Sequence, residues 1–329
     1  MDTKLIHTPE GVRDIYGEEL KAKKELISRI RGVFDSYGYS EIQTPVFEFF
    51  DVFSNEVGTT PSKDLFKLFD KEGNTLVLRP DFTPSVARCA VKYFLEDEAN
   101  VPLKLCYEGN VFTNTSELKG LLKETTQTGA ELIGDDSPEA DAQILIMVIK
   151  ALKAAGIESF TLSTGEIGFF KGICEAAGLD DETVMKLRDL ISVKNYYAAA
   201  ALLKENGGGD RDTELLLKNG DVCTIADLRA TKEKLGNKRS ADALERLDKV
   251  YTLVEKEGLE SYLSFDLGLL SKFNYYTGML FKAYTYGAGD AIAKGGRYDG
   301  LLKHFGHHAP AVGCVFLVDD ILFKLRRQR

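Results

Sequence analysis

Near the C-terminal end of the chain stand Phe273-Asn274-Tyr275-Tyr276-Thr277-Gly278, Gly295-Gly296-Arg297-Tyr298-Asp299-Gly300 and Pro310-Ala311-Val312-Gly313. Paired glycines let a backbone come close to a ligand. Tyr275, Tyr276 and Tyr298 each offer a ring face and a hydroxyl. Such a set suits a small, flat, polar ligand. The competing reading is a β-hairpin with core aromatics, in which Met279, Phe281 and Ala283 alternate as a strand and the glycines make a tight turn into Leu301-Leu302-Lys303.

The elements that must carry these residues can be read upstream. Leu20, Leu26, Ile27, Ile30, Phe34 and Tyr37 recur at helical spacing until Gly38. Tyr39 to Phe47 is extended and broken by Pro45, which favours an edge or an interface. Leu65 to Asp70 and Thr75 to Pro80 read as paired strands around Lys71-Glu72-Gly73-Asn74. Asp81 to Arg88 starts a helix, with Thr83 as cap and Pro84 in the first turn. Val101 to Phe112 and Gly129 to Ile133 are further strands, and Ser137 caps a helix running to Gly156. Residues 158–164 are another strand candidate. Between 180 and 257 the pattern turns helical, with Gly207-Gly208-Gly209 as a hinge and Tyr196-Tyr197 as helix core. Ser264 to Gly268 resumes the sheet, and Asp319 to Leu325 closes with a helix. Clustered strands with few crossover helices give an α+β fold with a mostly antiparallel sheet flanked by helices. The expected domains are a core of 1–179 and 258–329 with an inserted helical subdomain of 180–257.

Composition sets outer bounds. Of 329 residues, 44% are hydrophobic and 28% charged, ordinary globular usage without a bilayer-length apolar run or a secretion signal. Cys89, Cys106, Cys174, Cys223 and Cys314 are scattered, which fits reduced thiols in a cytoplasmic protein. A net charge of -9 disfavours a broad nucleic-acid surface. His304, His307 and His308 lack the further ligands of a metal site, and Gly207 to Gly209 lacks the Lys-Ser/Thr of a phosphate loop. No metal, cofactor or membrane partner is expected.

A series of motifs resembles the catalytic core of histidyl-tRNA synthetases, which are class II aminoacyl-tRNA synthetases. They are Thr8 to Asp14, Tyr39 to Pro45, Leu78 to Pro84, Tyr107 to Phe112, Gln127 to Glu131, Tyr275 to Gly278, Gly295 to Gly300 and Pro310 to Gly313, in the family's order across nearly the whole chain. The resemblance implies a class II synthetase-like sheet, with Tyr39 to Pro45 in the dimer-forming motif. It also implies amino-acid recognition, by Asp81, Thr83 and Gln127 for the α-ammonium and by Glu131, Tyr276 and Tyr298 around an imidazole. Asp81 replaces a glutamate of the synthetases.

Three arginines that the synthetases use for ATP or for the carboxylate under attack are replaced by Thr113, Asp320 and Ser271. Lys119 and Lys123 are the nearby basic residues that could substitute. A phosphate tail needs cations, and Asp320 reverses the sign. The expected organisation includes no C-terminal anticodon-binding domain of the kind the synthetases carry. A synthetase core without its ATP arginines that keeps a histidine pocket is similar to the regulatory subunits of ATP phosphoribosyltransferase. Membership there implies no catalytic residues and a short catalytic subunit as partner. It also implies a homodimer within a hetero-octamer, and histidine as feedback effector in the first step of histidine biosynthesis. The alternatives are a divergent histidine-activating ligase and an RNA-binding or structural paralogue.

Overall fold

The computed structural model describes residues 6–54, 60–97, 101–115, 121–217, 223–270 and 276–327. The chain opens with α1 (Gly17–Ser36), whose Leu26, Ile30 and Phe34 are buried on one stripe. Next come β1 (Ser40–Glu41), β2 (Phe47–Phe49), β3 (Lys67–Phe69), β4 (Thr75–Leu78), α2 (Thr83–Tyr93), and the long pair β5 (Leu103–Phe112) and β6 (Glu124–Ile133). After α3 (Pro138–Ala154), β7 (Thr161–Glu166) and α4 (Ile167–Ala176) come five helices: α5 (Asp181–Ser192), α6 (Tyr196–Glu205), α7 (Asp210–Leu217), α8 (Ile225–Glu233) and α9 (Lys238–Lys256). The chain then returns through β8 (Leu263–Phe265), β9 (Met279–Tyr284), β10 (Ala293–Arg297), β11 (Ala311–Leu317) and α10 (Val318–Arg327).

Eight strands form one sheet in the order β1-β5-β6-β11-β10-β9-β7-β8, and β2-β4-β3 form a second. Only the two outermost pairs of the large sheet, β1 with β5 and β7 with β8, are parallel. The mostly antiparallel α+β reading therefore holds.

Strand alternation gives the large sheet two unlike faces. One carries Ala130, Leu132, Val312, Cys314 and Phe316 into a core shared with Ile144 and Val148 of α3. Leu244, Leu247 and Val250 of α9 belong to that same core, so the last helix of the 180–257 region packs where α3 packs. The other face carries Gln127, Gly129 and Glu131.

Four local expectations change. Gly295 and Gly296 lie inside β10, not in a turn. A Cβ on Gly295 would stand 2.6 Å from Phe281 Cζ, and one on Gly296 2.8 Å from the Leu280 backbone, so close strand packing requires glycine at both places. Thr83 does not cap α2: the cap position is Phe82, and the Thr83 hydroxyl donates elsewhere. β6 begins at Glu124, five residues before the expected Gly129, because its pairing with β5 continues to the Phe112–Glu124 register. Tyr197 is 86% exposed whereas Tyr196 packs partly against the core, since neighbours on a helix point about 100° apart. Ser137 does cap α3, its Oγ accepting from Ala140 N at 3.2 Å.

Candidate functional site

Glu131 is the centre of the open face. It is 1% exposed, on β6, and surrounded by hydroxyl donors. Thr83 Oγ1 donates to its Oε1 at 2.7 Å, Tyr107 OH reaches the same oxygen at 3.3 Å, and Tyr298 OH donates to Oε2 at 2.6 Å. Among the described residues no cation bonds to this carboxylate. Burial therefore pushes the Glu131 carboxyl up to about 7, against the opposing pull of Tyr298, Thr83 and Tyr107, while nearby Asp81 pushes it further up. Burial, followed by Glu131 and Asp81, likewise raises the Tyr276 phenol well above its ordinary range.

Each donor is placed by a different element. Pro84 sits in the first turn of α2, where its missing N–H costs nothing, and this start brings Thr83 over the sheet. Tyr107 faces the site from β5, with Phe82 stacked on its ring at 4.4 Å. Tyr298 follows β10 directly. Its backbone N–H donates to Ala311 O, which ties it to the start of β11.

The floor is made of residues without side chains. Gly313 pairs with Glu131 across β11 and β6, and a Cβ there would overlap the Glu131 carboxylate. On Gly129 a Cβ would stand 2.6 Å from Tyr107 Cζ. Glycine is thus required where the carboxylate and the phenol lie flat on the sheet. The resulting cleft is lined by Thr83, Glu131, Tyr276, Lys294, Tyr298 and the glycines of β10 and β11. Its volume is ≈ 20 Å³, room for about one water molecule.

Of the residues singled out in the sequence, Thr83, Glu131, Tyr276 and Tyr298 meet in this cleft. Asp81 is close enough to act on Glu131, Tyr107 and Tyr276 through its charge. Gln127 stands apart, four residues along β6 from Glu131, about 13 Å at strand rise. It is 7% exposed, and its buried Oε1 has no hydrogen-bond partner among the described residues. Tyr107 is the member that sequence reasoning missed. Its signal was alternation along β5, which needs the β5–β6 register before it points to Glu131.

Thr113 closes the far end of the β5–β6 pair, its N–H donating to Lys123 O at 2.9 Å. Asp320 is exposed on α10. Its pKa is raised by partial desolvation and by Asp319 and Asp290, with Lys294 opposing. Ser271, Tyr275 and Lys119 lie outside the described residues. No group of three or more His, Cys, Asp or Glu side chains placed to hold a metal occurs among the described residues, and none of their helices is long and apolar enough to cross a membrane.

Comparison with known proteins agrees with this architecture. The family described as Histidyl-tRNA synthetase matches residues 11–321. The ATP phosphoribosyltransferase regulatory subunit of Acetivibrio thermocellus is 42% identical over 98% of this chain and 77% of its own length. That of Thermoanaerobacter sp. is 37% identical over 99% and 84%. A solved ATP phosphoribosyltransferase regulatory subunit/histidyl-tRNA synthetase from Bacillus halodurans superposes with a TM-score of 0.90 at 31% identity, covering 98% of this chain and 83% of the other. Histidyl-tRNA synthetase from Nostoc superposes at 0.81 with 20% identity over 98% and 75%, a likeness of fold. The chain belongs to the family of ATP phosphoribosyltransferase regulatory subunits, built on the histidyl-tRNA synthetase-like fold.

Proposed function

We propose that this chain is a non-catalytic subunit that a short ATP phosphoribosyltransferase catalytic subunit requires for activity, and that its Glu131 cleft senses histidine. The complex would form phosphoribosyl-ATP in the first step of histidine biosynthesis and be inhibited by histidine. The observation that carries this reading is a buried carboxylate held by three hydroxyls and, among the described residues, by no cation. An imidazole brings N–H donors and, when protonated, the missing positive charge.

Asp81 and Gln127 provide acceptors for an α-ammonium, and the unpartnered Gln127 Oε1 favours a ligand donor on that side. The position of Asp320 on α10, beside Asp319 and Asp290, speaks against binding of a phosphate tail there, as do Thr113 and Ser271 in the sequence. The cleft is narrower than a histidine, so the ligand would select a state in which the lining is rearranged. Differential affinity for two states is what feedback requires, with a coupling of about 1–3 kcal/mol. Self-association is supported by an apolar exposed strip, Phe47 and Phe49 of β2 with Leu68 of β3, beside the extended 39–45 segment. A homodimer within a hetero-oligomer in the cytoplasm is the assembly proposed.

The test is phosphoribosyl-ATP formation by the short catalytic subunit of the same organism, with and without this chain, titrated with histidine. Activity dependent on the chain and falling with histidine is expected. If the chain made no difference, and histidine-dependent exchange of pyrophosphate into ATP appeared instead, the ligase alternative would replace this reading.

A further inference from the structure

The Glu131 cleft is rich in acceptors and poor in cations. A free amino acid brings an ammonium, which Asp81 and the buried carboxylate favour, and a carboxylate, which they repel. Among the described residues lining the cleft one side chain is cationic, that of Lys294. It is exposed and lies on β10 two residues from Gly296, so strand alternation turns both to the open face. Gly296 and Gly313, paired across β10 and β11, carry no side chain on that face between Lys294 and Glu131, and Val315 is the side chain of the sheet directly beside Lys294 in the lining.

The cross-strand neighbours of Lys294 sharpen the point. It stands opposite Val315 on β11 and opposite Lys282 on β9. Like charges directly opposite on one face destabilise a sheet unless an anion lies between or beside them. Asp320 is within electrostatic reach, but Lys294 forms no ion pair with a described residue. A basic side chain at the rim of an acidic cleft, facing a second lysine, is suited to a ligand carboxylate.

We infer that Lys294 receives the α-carboxylate of the amino-acid effector, an assignment that rests on the function proposed above. The cleft then selects the zwitterionic amino acid over the corresponding amine. A lysine is fit for this because its ammonium is a point charge on a flexible stem that can follow the carboxylate as the cleft rearranges.

Calorimetric titration of the full chain with histidine and with histamine tests the assignment, using the unaltered protein, Lys294→Met, Lys294→Arg and Lys282→Met. Lys294→Met should weaken histidine by about tenfold to a hundredfold, the value of a charge-assisted contact. It should leave histamine within about twofold, and Lys294→Arg should restore most of the loss. Lys282→Met, outside the cleft lining, should change histidine affinity by less than about threefold. Unchanged histidine affinity in Lys294→Met, or equal losses for both ligands, would overturn the assignment while leaving the histidine site standing. If the unaltered chain bound no histidine, the sensing function itself would fall, and this assignment with it.

Discussion

Arg297 and Tyr298 are consecutive, yet they serve two buried carboxylates on opposite sides of the sheet. Tyr298 turns to the open face and donates to Glu131. Arg297 turns to the helices, where its Nε donates to Asp141 Oδ1 of α3 at 2.9 Å and its Nη2 lies 2.8 Å from the same oxygen as an ion pair. Arg246 of α9 holds the other oxygen of Asp141 at 2.6 Å. Burial pushes the Asp141 carboxyl up and the two guanidiniums oppose it, while Asp141 and Asp299 raise Arg297 against its own burial. With each carboxylate oxygen accepting from the Nε of a different guanidinium, the ionised arrangement is the one we assign. The contrast shows how each acid is used. Asp141 is neutralised by side chains and locks β10, α3 and α9 together. Glu131 receives hydrogen bonds but, among the described residues, no countercharge, and so keeps an electrostatic demand that a ligand can meet.

The largest effect should come from breaking the neutralised side. Asp141→Ala takes the buried Arg297 guanidinium away from the carboxylate that neutralises it in the core and should cost about 3–5 kcal/mol in urea unfolding. The pair Asp141→Leu with Arg297→Met should recover much of that loss. If Asp141→Ala were as stable as the unaltered chain, the two carboxylates would not differ in the way argued here.

The next largest effect should come from the uncompensated side and should carry the opposite sign. The folded pKa of Glu131, about 7, lies above its ordinary 4.5. Its favourable contribution is therefore complete below pH 4.5, is lost as pH rises to about 7, and is flat above that. The loss amounts to about 3 kcal/mol. Glu131→Gln should remove this pH dependence, so the stability of the variant relative to the unaltered chain should rise by about 3 kcal/mol between pH 4.5 and pH 7, while histidine binds more weakly. A slope should persist in the variant, because burial also pushes the Glu166 carboxyl up to about 8. Denaturant midpoints at several pH values measure both. A variant whose stability relative to the unaltered chain stayed constant or fell between pH 4.5 and pH 8 would contradict the sign.

This contrast also separates what the sequence disclosed from what it hid. The sheet class, the α3 cap at Ser137 and the helical stripe of α1 were legible because each rests on spacing within a few residues. Glu131, Thr83, Tyr276 and Tyr298 came from motif resemblance, but the role of Thr83 did not. Local rules read its hydroxyl as a helix cap, and a partner 48 positions away won. Gly295 and Gly296 looked like a turn because glycine pairs mark turns locally, whereas the reason for them is Phe281 and the backbone of β9, met only once β10 is paired. Arg297 and Asp141 are 156 positions apart, so nothing in the linear pattern announced their pairing.

The smallest effects lie within the hydroxyl cluster and rank its members. Tyr298→Phe removes a short bond to a buried carboxylate, at 2.6 Å, and should reduce stability by about 1.5–3 kcal/mol. Tyr107→Phe removes a contact of 3.3 Å to an oxygen that Thr83 already serves at 2.7 Å. Its ring stays stacked on Phe82, so packing is kept and only the weak bond is lost. A cost of about 0.5–1 kcal/mol follows, with histidine affinity changed by less than about fivefold. Parallel urea titrations and calorimetry of the two variants check the order. If Tyr107→Phe cost as much as Tyr298→Phe, the two oxygens of Glu131 would be equally dependent on phenol donors. Thr83 would then contribute less than its 2.7 Å geometry implies.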